Sequence, residues 1–130
     1  MASEVALTRT AAERGEDRLG PPGAAHAASW RWDLASGRVE WDDRLKALFG
    51  YAVRVTDAAW RESHIHPQDR ERVKLSLERA TLVNHGAVWS EEYRFRRADG
   101  RYVTVIDRAC VVSDGAGPRA VMGALAPTSA

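Results

Sequence analysis

The apolar residues of this 130-residue chain follow two different periods, and the order of those periods constrains the fold. Between residues 29 and 41 they alternate with polar residues, which is typical of strands, and between 67 and 84 they recur at helical spacing. From Val88 to Leu125 the alternation returns. The pattern predicts two strands, three or four helices and three more strands. Such an order indicates an α+β domain whose antiparallel sheet carries its helices on one face.

The chain is predicted to contain one domain preceded by a leader. Residues 1–28 have few large apolar side chains and include Gly20-Pro21-Pro22-Gly23, which breaks secondary structure. We interpret 1–28 as a flexible or weakly helical leader, with the alternative that it folds back on the domain as a cap. Residues 29–126 form the predicted domain, and 127–130 form a C-terminal tail.

Turn and cap residues divide the domain into elements. Ala35-Ser36-Gly37 predicts a hairpin turn between the first two strands. Asp42 is predicted to cap a short helix that ends at Gly50, and Thr56 to cap a second one. Pro67 suits the first turn of a long helix that runs to about Asn84, because proline lacks only an N–H that would be unpaired there.

The long helix and the long strand after it both have two distinguishable sides. The helix carries one apolar stripe and two leucines on its opposite side; the stripe is Val73, Leu77, Ala80 and Val83, and the leucines are Leu75 and Leu82. The strand from Arg101 to Val112 is apolar on both faces, with Tyr102, Ile106 and Cys110 on one and Val103, Val105, Ala109 and Val111 on the other. Such a strand needs cover on both sides, from the helices and from the leader or a second copy.

Charge and cysteine content exclude several functional classes. The 19 basic and 18 acidic residues give a formal net charge of +1, so no overall field attracts nucleic acid or an anionic membrane. The single cysteine, Cys110, cannot form an intrachain disulfide or a multi-cysteine metal site. No stretch of 18 apolar residues and no signal-peptide pattern is present. We therefore predict a cytoplasmic protein without nucleic-acid or membrane partners.

A series of short motifs carries a family resemblance. In chain order they are Trp30-x-Trp32-Asp33, Gly37-x-Val39-x-Trp41, Leu48-Phe49-Gly50-Tyr51, Trp60, Ile65-His66-Pro67-x-Asp69-Arg70, Trp89-x3-Tyr93-Arg94-x-Arg96, Asp99-Gly100, Asp114-x2-Gly117 and Gly123. In this order and spacing, residues 30–125 resemble a PAS domain of the type common in bacterial sensor kinases and cyclic-di-nucleotide enzymes. The resemblance implies a five-stranded antiparallel sheet of order 2-1-5-4-3, a pocket between sheet and helices, and a sensing or docking role, usually in a dimer.

The resemblance and the periodicity together predict two sets of functional residues. The predicted pocket is lined by Phe49, Trp60, Ile65, Val73, Leu77, Tyr93 and Ile106. The candidate partner contacts are Leu75, Leu82, Val103 and Val105.

No cofactor or metal is predicted. Haem-binding PAS domains place a histidine on the long helix, and here the nearest ones, His64, His66 and His85, lie outside it. Flavin photosensors of this fold use a cysteine in a helical motif, whereas Cys110 lies in a predicted strand, where a small buried apolar role is expected. His64 and His66 have no nearby carboxylate or cysteine cluster that would complete a metal site.

Enzymatic activity is not predicted either. Glu91 and Glu92 are adjacent in a strand and point to opposite faces, so they cannot act as a facing acid/base pair. Only Asp33, His66 and Asp107 are candidates for acid/base chemistry in a cavity.

The sequence therefore predicts a stand-alone PAS signalling module in a bacterial cytoplasm. We expect a homodimer that docks onto a regulatory protein, for example the histidine kinase of a two-component system, and responds to a small molecule in its pocket. The alternative is a sensor that holds haem, flavin or a metabolite and whose occupancy is the signal.

Overall fold

The computed structural model describes residues 26–83 and 88–128. Residues 1–25 of the predicted leader lie outside the described part, as does the predicted helix end at Asn84. The nine elements are β1 (Ala28–Asp33), β2 (Arg38–Trp41), α1 (Arg44–Phe49), β3 (Val55–Asp57), α2 (Ala58–Ser63), α3 (Pro67–Val83), β4 (Val88–Arg96), β5 (Tyr102–Asp114) and β6 (Gly117–Pro127). None of the described helices is long and apolar enough to cross a membrane.

The six strands form one antiparallel sheet in the order β3-β2-β1-β6-β5-β4. The α+β class and the antiparallel sheet are confirmed, and the five predicted strands keep their predicted order. The strand count was wrong, because β3 adds to the outer edge of β2. Thr56 lies in β3 and accepts a hydrogen bond from Trp41 Nε1 at 2.8 Å, so it does not cap α2. Asp57 is the cap, and its carboxylate accepts from the Trp60 amide at 2.7 Å.

The first helix begins one residue later than predicted. Asp43 occupies the N-cap position without a side-chain cap bond, while the Asp42 carboxylate accepts from the Arg44 amide at 2.9 Å. Gly50 ends α1 as predicted, with φ of +90°, a left-handed conformation that favours glycine. Its amide donates to the Lys46 carbonyl at 2.9 Å and closes the last turn.

The core lies between the sheet and the helices. Val73, Leu77 and Ala80 of α3 are buried, in agreement with the predicted stripe, and Leu75 and Leu82 on the opposite side are exposed. The largest fully buried side chains come from all parts of the domain: Tyr93, Phe49, Phe95, Leu45, Ile65, Leu125, Val39, Val73, Val105, Val121 and Asp107. A charged residue thus lies among the most deeply buried groups.

The two faces of β5 are reversed relative to the prediction. Val105 is fully buried and Val103 packs partly buried against the core, so the face predicted to contact a partner is the inner one. Ile106 is half-buried on the outer face, where it pairs with Glu92 of β4. Its predicted position in an interior pocket is therefore wrong. The physical reason is register, which sets Val105 opposite Tyr93 on the inner face of β4.

Candidate functional site

A buried polar cluster occupies the interior between sheet and helices. The Asp107 carboxylate is fully buried and accepts hydrogen bonds from three side chains. Trp30 Nε1 donates at 2.9 Å, the Tyr93 hydroxyl at 2.7 Å and the Arg61 guanidinium at 2.5 Å. The Arg61 side chain is only 6% exposed. One carboxylate of β5 therefore joins β1, β4 and α2.

Strand register brings these groups together. Asp107 follows Val105 by two residues and shares its inward face. Tyr93 pairs with Val105, so it lies diagonally across from Asp107 and its long side chain reaches the carboxylate. Trp30 pairs with Gly123 of β6, and a Cβ atom at position 123 would lie 2.6 Å from the indole ring. The absence of a side chain there lets the indole lie against the sheet and reach Asp107.

Arg61 connects this cluster to the helical layer. Its guanidinium lies 4.9 Å from the centre of the Trp30 ring, a favourable cation–π distance, and 3.4 Å from the Tyr93 hydroxyl. The Arg61 Nε atom is buried and has no hydrogen-bond partner within residues 26–83 and 88–128. A buried donor without an acceptor is destabilising, so this atom has an unused capacity to bind an acceptor.

Burial controls the protonation of the cluster. Burial raises the pKa of Asp107, and the charge of Arg61 together with the three donated hydrogen bonds opposes that rise. Burial also raises the pKa of Tyr93 well above its usual value, so the phenol is neutral and donates. Burial lowers the pKa of Arg61, whereas the charge of Asp107 and its hydrogen bond with the guanidinium raise it; the net shift is upward, so the guanidinium stays charged. The cluster thus contains a desolvated ion pair held by two neutral donors.

The predicted pocket residues occupy three different environments. Phe49, Ile65, Val73, Leu77 and Tyr93 are buried in the core. Trp60 is half-buried at the edge of the core, and Ile106 lies on the outer face of the sheet. Tyr93 alone among the seven belongs to the polar cluster.

Of the four predicted partner contacts, two lie on the surface and two face the core. Leu75 is 50% and Leu82 76% exposed, so both are accessible on the outside of α3. Val103 and Val105 face the core, which excludes them from a surface contact in this conformation.

Two members of the polar cluster were missed as a site by sequence reasoning. Asp107 was singled out only for acid/base chemistry, although an aspartate between Val105 and Ala109 interrupts an otherwise apolar strand face. That interruption is a usable signal for a buried polar site. Arg61 carries no such signal, because it lies among other polar residues in a short helix.

The three acid/base candidates do not converge within the described residues. Asp33 accepts from the Ser36 hydroxyl at 2.6 Å in the β1–β2 turn. His66 Nδ1 accepts from the Gln68 amide at 3.0 Å, at the start of α3. Asp107 is enclosed in the polar cluster. Each side chain therefore has a separate structural partner.

The second group of interest is an aromatic cluster around His64. The imidazole stacks on Trp60 with ring centres 4.0 Å apart and meets Tyr51 edge-on at 5.0 Å. Burial lowers the pKa of His64, and its Nδ1 atom lies 2.7 Å from the Trp60 carbonyl. The part of the chain that the structure describes has no group of three or more histidine, cysteine or acidic side chains placed to hold a metal ion.

A cleft of about 560 Å³ opens on the surface between α3 and β4, away from the polar cluster. Its floor is ordered by hydrogen bonds: Trp89 Nε1 donates to the Ser76 hydroxyl at 2.9 Å, and Ser76 donates to Glu91 at 2.8 Å. Arg72 pairs with the same carboxylate at 2.5 Å. The lining of the cleft thus contains an ion pair between α3 and β4.

The chain is a small α+β domain with an enclosed interior. Its antiparallel sheet carries a helical layer on one face, and charged groups are buried between the sheet and the helices. The family follows from comparison: a family model of the PAS fold matches residues 38–125. The chain therefore belongs to the PAS family and is a PAS sensory module, as the sequence motifs indicated.

Solved structures support the same fold. A sensory box histidine kinase/response regulator from Burkholderia thailandensis matches with a TM-score of 0.68 and 23% identity, over 80% of this chain and 78% of the other. The N-terminal domain of a Marinobacter aquaeolei diguanylate cyclase with a PAS/PAC sensor gives 0.67 and 23%, over 78% and 94%. The Drosophila melanogaster Cycle PAS-B domain with bound ethylene glycol gives 0.63 and 15%, over 78% and 99%. At these identities the likeness shows the fold alone.

Proposed function

We propose that this PAS module binds a partner regulatory protein, such as a sensor histidine kinase, and that a small molecule in the interior changes its affinity for that partner. The observation that carries the proposal is the buried pair of Arg61 and Asp107, whose Arg61 Nε atom has no hydrogen-bond partner among the described residues. We further propose that the protein acts in a bacterial cytoplasm.

The energetics of the pair support a role beyond folding. Desolvating two charges costs several kcal/mol per ion, and well-packed apolar residues of similar volume often give equal or greater stability. A buried pair with an unsatisfied donor is therefore a poor choice for stability alone. It is a suitable choice for recognising a small molecule with a carboxylate, carbonyl or other hydrogen-bond acceptor, which would satisfy Arg61 Nε.

The position of Arg61 suggests how occupancy reaches the surface. The residue lies in the last turn of α2, and its contact with Asp107 ties that helix to the sheet. A ligand that competes for the guanidinium would loosen α2, and α3 begins four residues after α2 ends. The partner would then be released or captured according to which state the ligand prefers.

Two surfaces are available for protein contacts. The outside of α3 exposes Leu75 and Leu82, which remain our candidate contacts for a partner. The outer face of the sheet, where register sets Val88 beside Cys110 and Cys110 beside Met122, is the second surface, and the sequence analysis expects the leader or a second copy to cover one side of this strand.

Native mass spectrometry of the purified full chain, beside a denatured control, tests the ligand directly. The proposal expects extra mass that disappears on denaturation, and expects Arg61→Met to lose it. Arg108→Met is the matched control, because Arg108 is exposed on the outer face of the same strand as Asp107. Extra mass retained by Arg61→Met would contradict the role of the cluster. A bound mass with a visible absorption band, equal to haem or flavin, would replace this proposal with the cofactor-holding alternative.

Partner binding needs a separate measurement. The proposal expects that adding the identified molecule changes the affinity of the module for a purified sensor kinase by about tenfold, within the usual range of coupling between two sites. An unchanged affinity would show that occupancy is not transmitted.

A further inference from the structure

β4 lies at one edge of the sheet, and the second half of its free edge is covered by the chain itself. The Arg96 amide donates to the His64 carbonyl at 2.8 Å, and the His66 amide donates to the Arg94 carbonyl at 2.8 Å. The segment before α3 thus pairs with the end of β4 as a further antiparallel strand would. The backbone groups of Arg94 and Arg96 therefore point away from β5.

The first half of the same edge is open. β4 and β5 pair residue by residue without a register shift, so the N–H and C=O groups of Ser90 and Glu92 point outward like those of Arg94. The Glu92 carbonyl accepts a hydrogen bond from Arg72 at 3.0 Å. Among the residues that the structure describes, the Ser90 amide, the Ser90 carbonyl and the Glu92 amide have no hydrogen-bond partner. Unpaired groups on an exposed edge are a template for an added strand.

The cleft between α3 and β4 lies beside this open edge. Ser90 and Glu91 line it from the strand, and Leu75 and Arg79 line it from the helix. The side chains of an added strand would alternate between the two faces of the sheet, so every second one would point into the cleft. Leu75 is 50% exposed there and offers an apolar contact to such a side chain.

The cation that is available to a partner in this cleft is Arg79. Arg72 is already engaged by Asp69 and Glu91, at 3.7 Å and 2.5 Å. Arg79 is exposed and forms no ion pair within the described part of the chain. The cleft therefore has one positive charge that an acidic side chain would complement.

We propose that the open half of the β4 edge binds an extended segment of a partner protein as an additional antiparallel strand. Hydrogen bonds to the backbone of Ser90 and Glu92 supply affinity, and the cleft selects side chains. The selected segment has apolar side chains against Leu75 and an acidic side chain near Arg79. This inference rests on the proposed binding of a partner protein and names the form in which that partner is recognised.

A peptide titration followed by nuclear magnetic resonance tests strand addition in the full chain. The probe is the end-blocked peptide Thr-Val-Thr-Asp-Thr-Val-Thr, whose side-chain pattern is the same in both directions and places the valines and the aspartate on one face. Saturable changes are expected in the amide signals of residues 88–92, together with slower hydrogen exchange of the Ser90 amide. No saturable change, or changes confined to the outer face of the sheet, would overturn the proposal.

Backbone methylation of the peptide separates strand pairing from side-chain contact. In an antiparallel pair, the peptide residue opposite Ser90 lies on the outer face and exchanges both hydrogen bonds with it. With the valines and the aspartate in the cleft, that residue is a threonine. N-methylation of the threonines should abolish binding, whereas N-methylation of the valines and the aspartate should preserve it. Equal effects of the two modifications, or the opposite order, would overturn the antiparallel pairing.

A proline in the open edge tests the same hydrogen bonds from the side of the protein. Ser90→Pro removes an N–H group that points to the free edge and leaves the bonds between β4 and β5 in place. Peptide affinity should fall roughly tenfold or more. Ser90→Ala is the matched control and should bind like the wild type. Circular dichroism checks that both variants are folded, and a folded Ser90→Pro with wild-type affinity would overturn the proposal.

A charge exchange tests the selectivity of the cleft and does not depend on the proline variant. Arg79→Glu should weaken binding of the peptide roughly fivefold, and a peptide with lysine in place of aspartate should restore it. Arg101→Glu is the matched control, because Arg101 is exposed in the connection between β4 and β5 and carries the same charge change. If Arg79→Glu binds both peptides equally, Arg79 does not select the acidic side chain.

Failure of strand addition and failure of the proposed function give different results. A purified sensor kinase that binds Ser90→Pro as tightly as the wild type would overturn strand addition and leave the proposed function standing. A peptide that binds the open edge with the same affinity in the presence and absence of the small molecule would support strand addition and contradict the proposed ligand response.

Discussion

Removing the positive partner of the buried carboxylate is the sharpest test of the interior. Arg61→Met keeps most of the side-chain volume but leaves Asp107, which is fully buried, without a counter-charge. Breaking a buried pair by deleting one partner costs about 3–5 kcal/mol. Trp30 and Tyr93 still donate to the carboxylate, so we expect a loss near the lower limit, about 3 kcal/mol at pH 7.

The double variant Arg61→Met/Asp107→Leu separates the charge from the packing. It removes both ions together but leaves the Trp30 and Tyr93 donors without their acceptor, so we expect its loss to be smaller than the summed losses of Arg61→Met and Asp107→Leu by about 1–3 kcal/mol. Urea denaturation followed by circular dichroism measures each free energy of unfolding, with Arg108→Met as the exposed control. A loss in Arg61→Met no larger than that of Arg108→Met, or a double variant whose loss equals the sum of the two single losses, would refute the reasoning.

Arg61→Met should also have a steeper pH dependence of stability than the wild type. Burial already raises the pKa of Asp107 above its unfolded value, and loss of Arg61 removes the strongest opposing charge. A group with a raised folded-state pKa binds its proton more tightly in the folded state, so its contribution is complete below the unfolded pKa and is lost as pH rises through the folded pKa. Arg61→Met should therefore recover stability as pH falls from 7 toward 5, by at most about 1.4 kcal/mol per pH unit. A penalty that stays constant over this range would show that Asp107 does not titrate there.

Four further variants test other parts of the structure. Gly123→Ala puts a methyl group 2.5 Å from the Arg108 carbonyl oxygen and 2.6 Å from the Trp30 indole, so we expect a loss of about 1–3 kcal/mol and a shifted tryptophan fluorescence; an unshifted spectrum and unchanged stability would contradict that close packing. Asp69→Asn weakens the two-pronged contact with Arg94, at 2.9 Å to each carboxylate oxygen, and should cost about 2 kcal/mol in urea denaturation. Because the hydrogen bonds from Arg94 hold the pKa of Asp69 well below its usual range, this contribution is complete above the unfolded pKa and is lost as pH falls, so equal losses in acid and at pH 7 would refute it. Val105→Ala should cost about 2 kcal/mol in thermal or urea melts and Ile106→Ala should cost less, because Ile106 is only half-buried; the opposite order would restore the predicted faces of the strand.

Much of the fold could be read from local patterns. The inward face of β4, with Trp89, Tyr93 and Phe95, followed from alternation because its other face is polar. The buried side of α3 was predicted in the same way. One helical stripe is apolar, whereas the opposite side is polar apart from two separate leucines. Where one side of an element is polar, the sequence predicts both the type of element and which side faces the core.

The site required the tertiary structure. β5 is apolar on both faces, so its alternation has the same period whichever face turns inward, and pairing with β4 decided that Val105 and Asp107 point to the core. β3 is too short to be recognised alone, and it forms because β2 offers it an open edge. Arg61 and Asp107 are 46 residues apart in the chain, and neither has a local partner that predicts the other. The sequence by itself determined the order of the eight elements other than β3, and the buried side of those with one polar face, because these depend on neighbouring residues. Only the tertiary structure determined that Arg61 and Asp107 form a buried ion pair. The guanidinium and the carboxylate come from distant segments, and both are desolvated only when the domain packs.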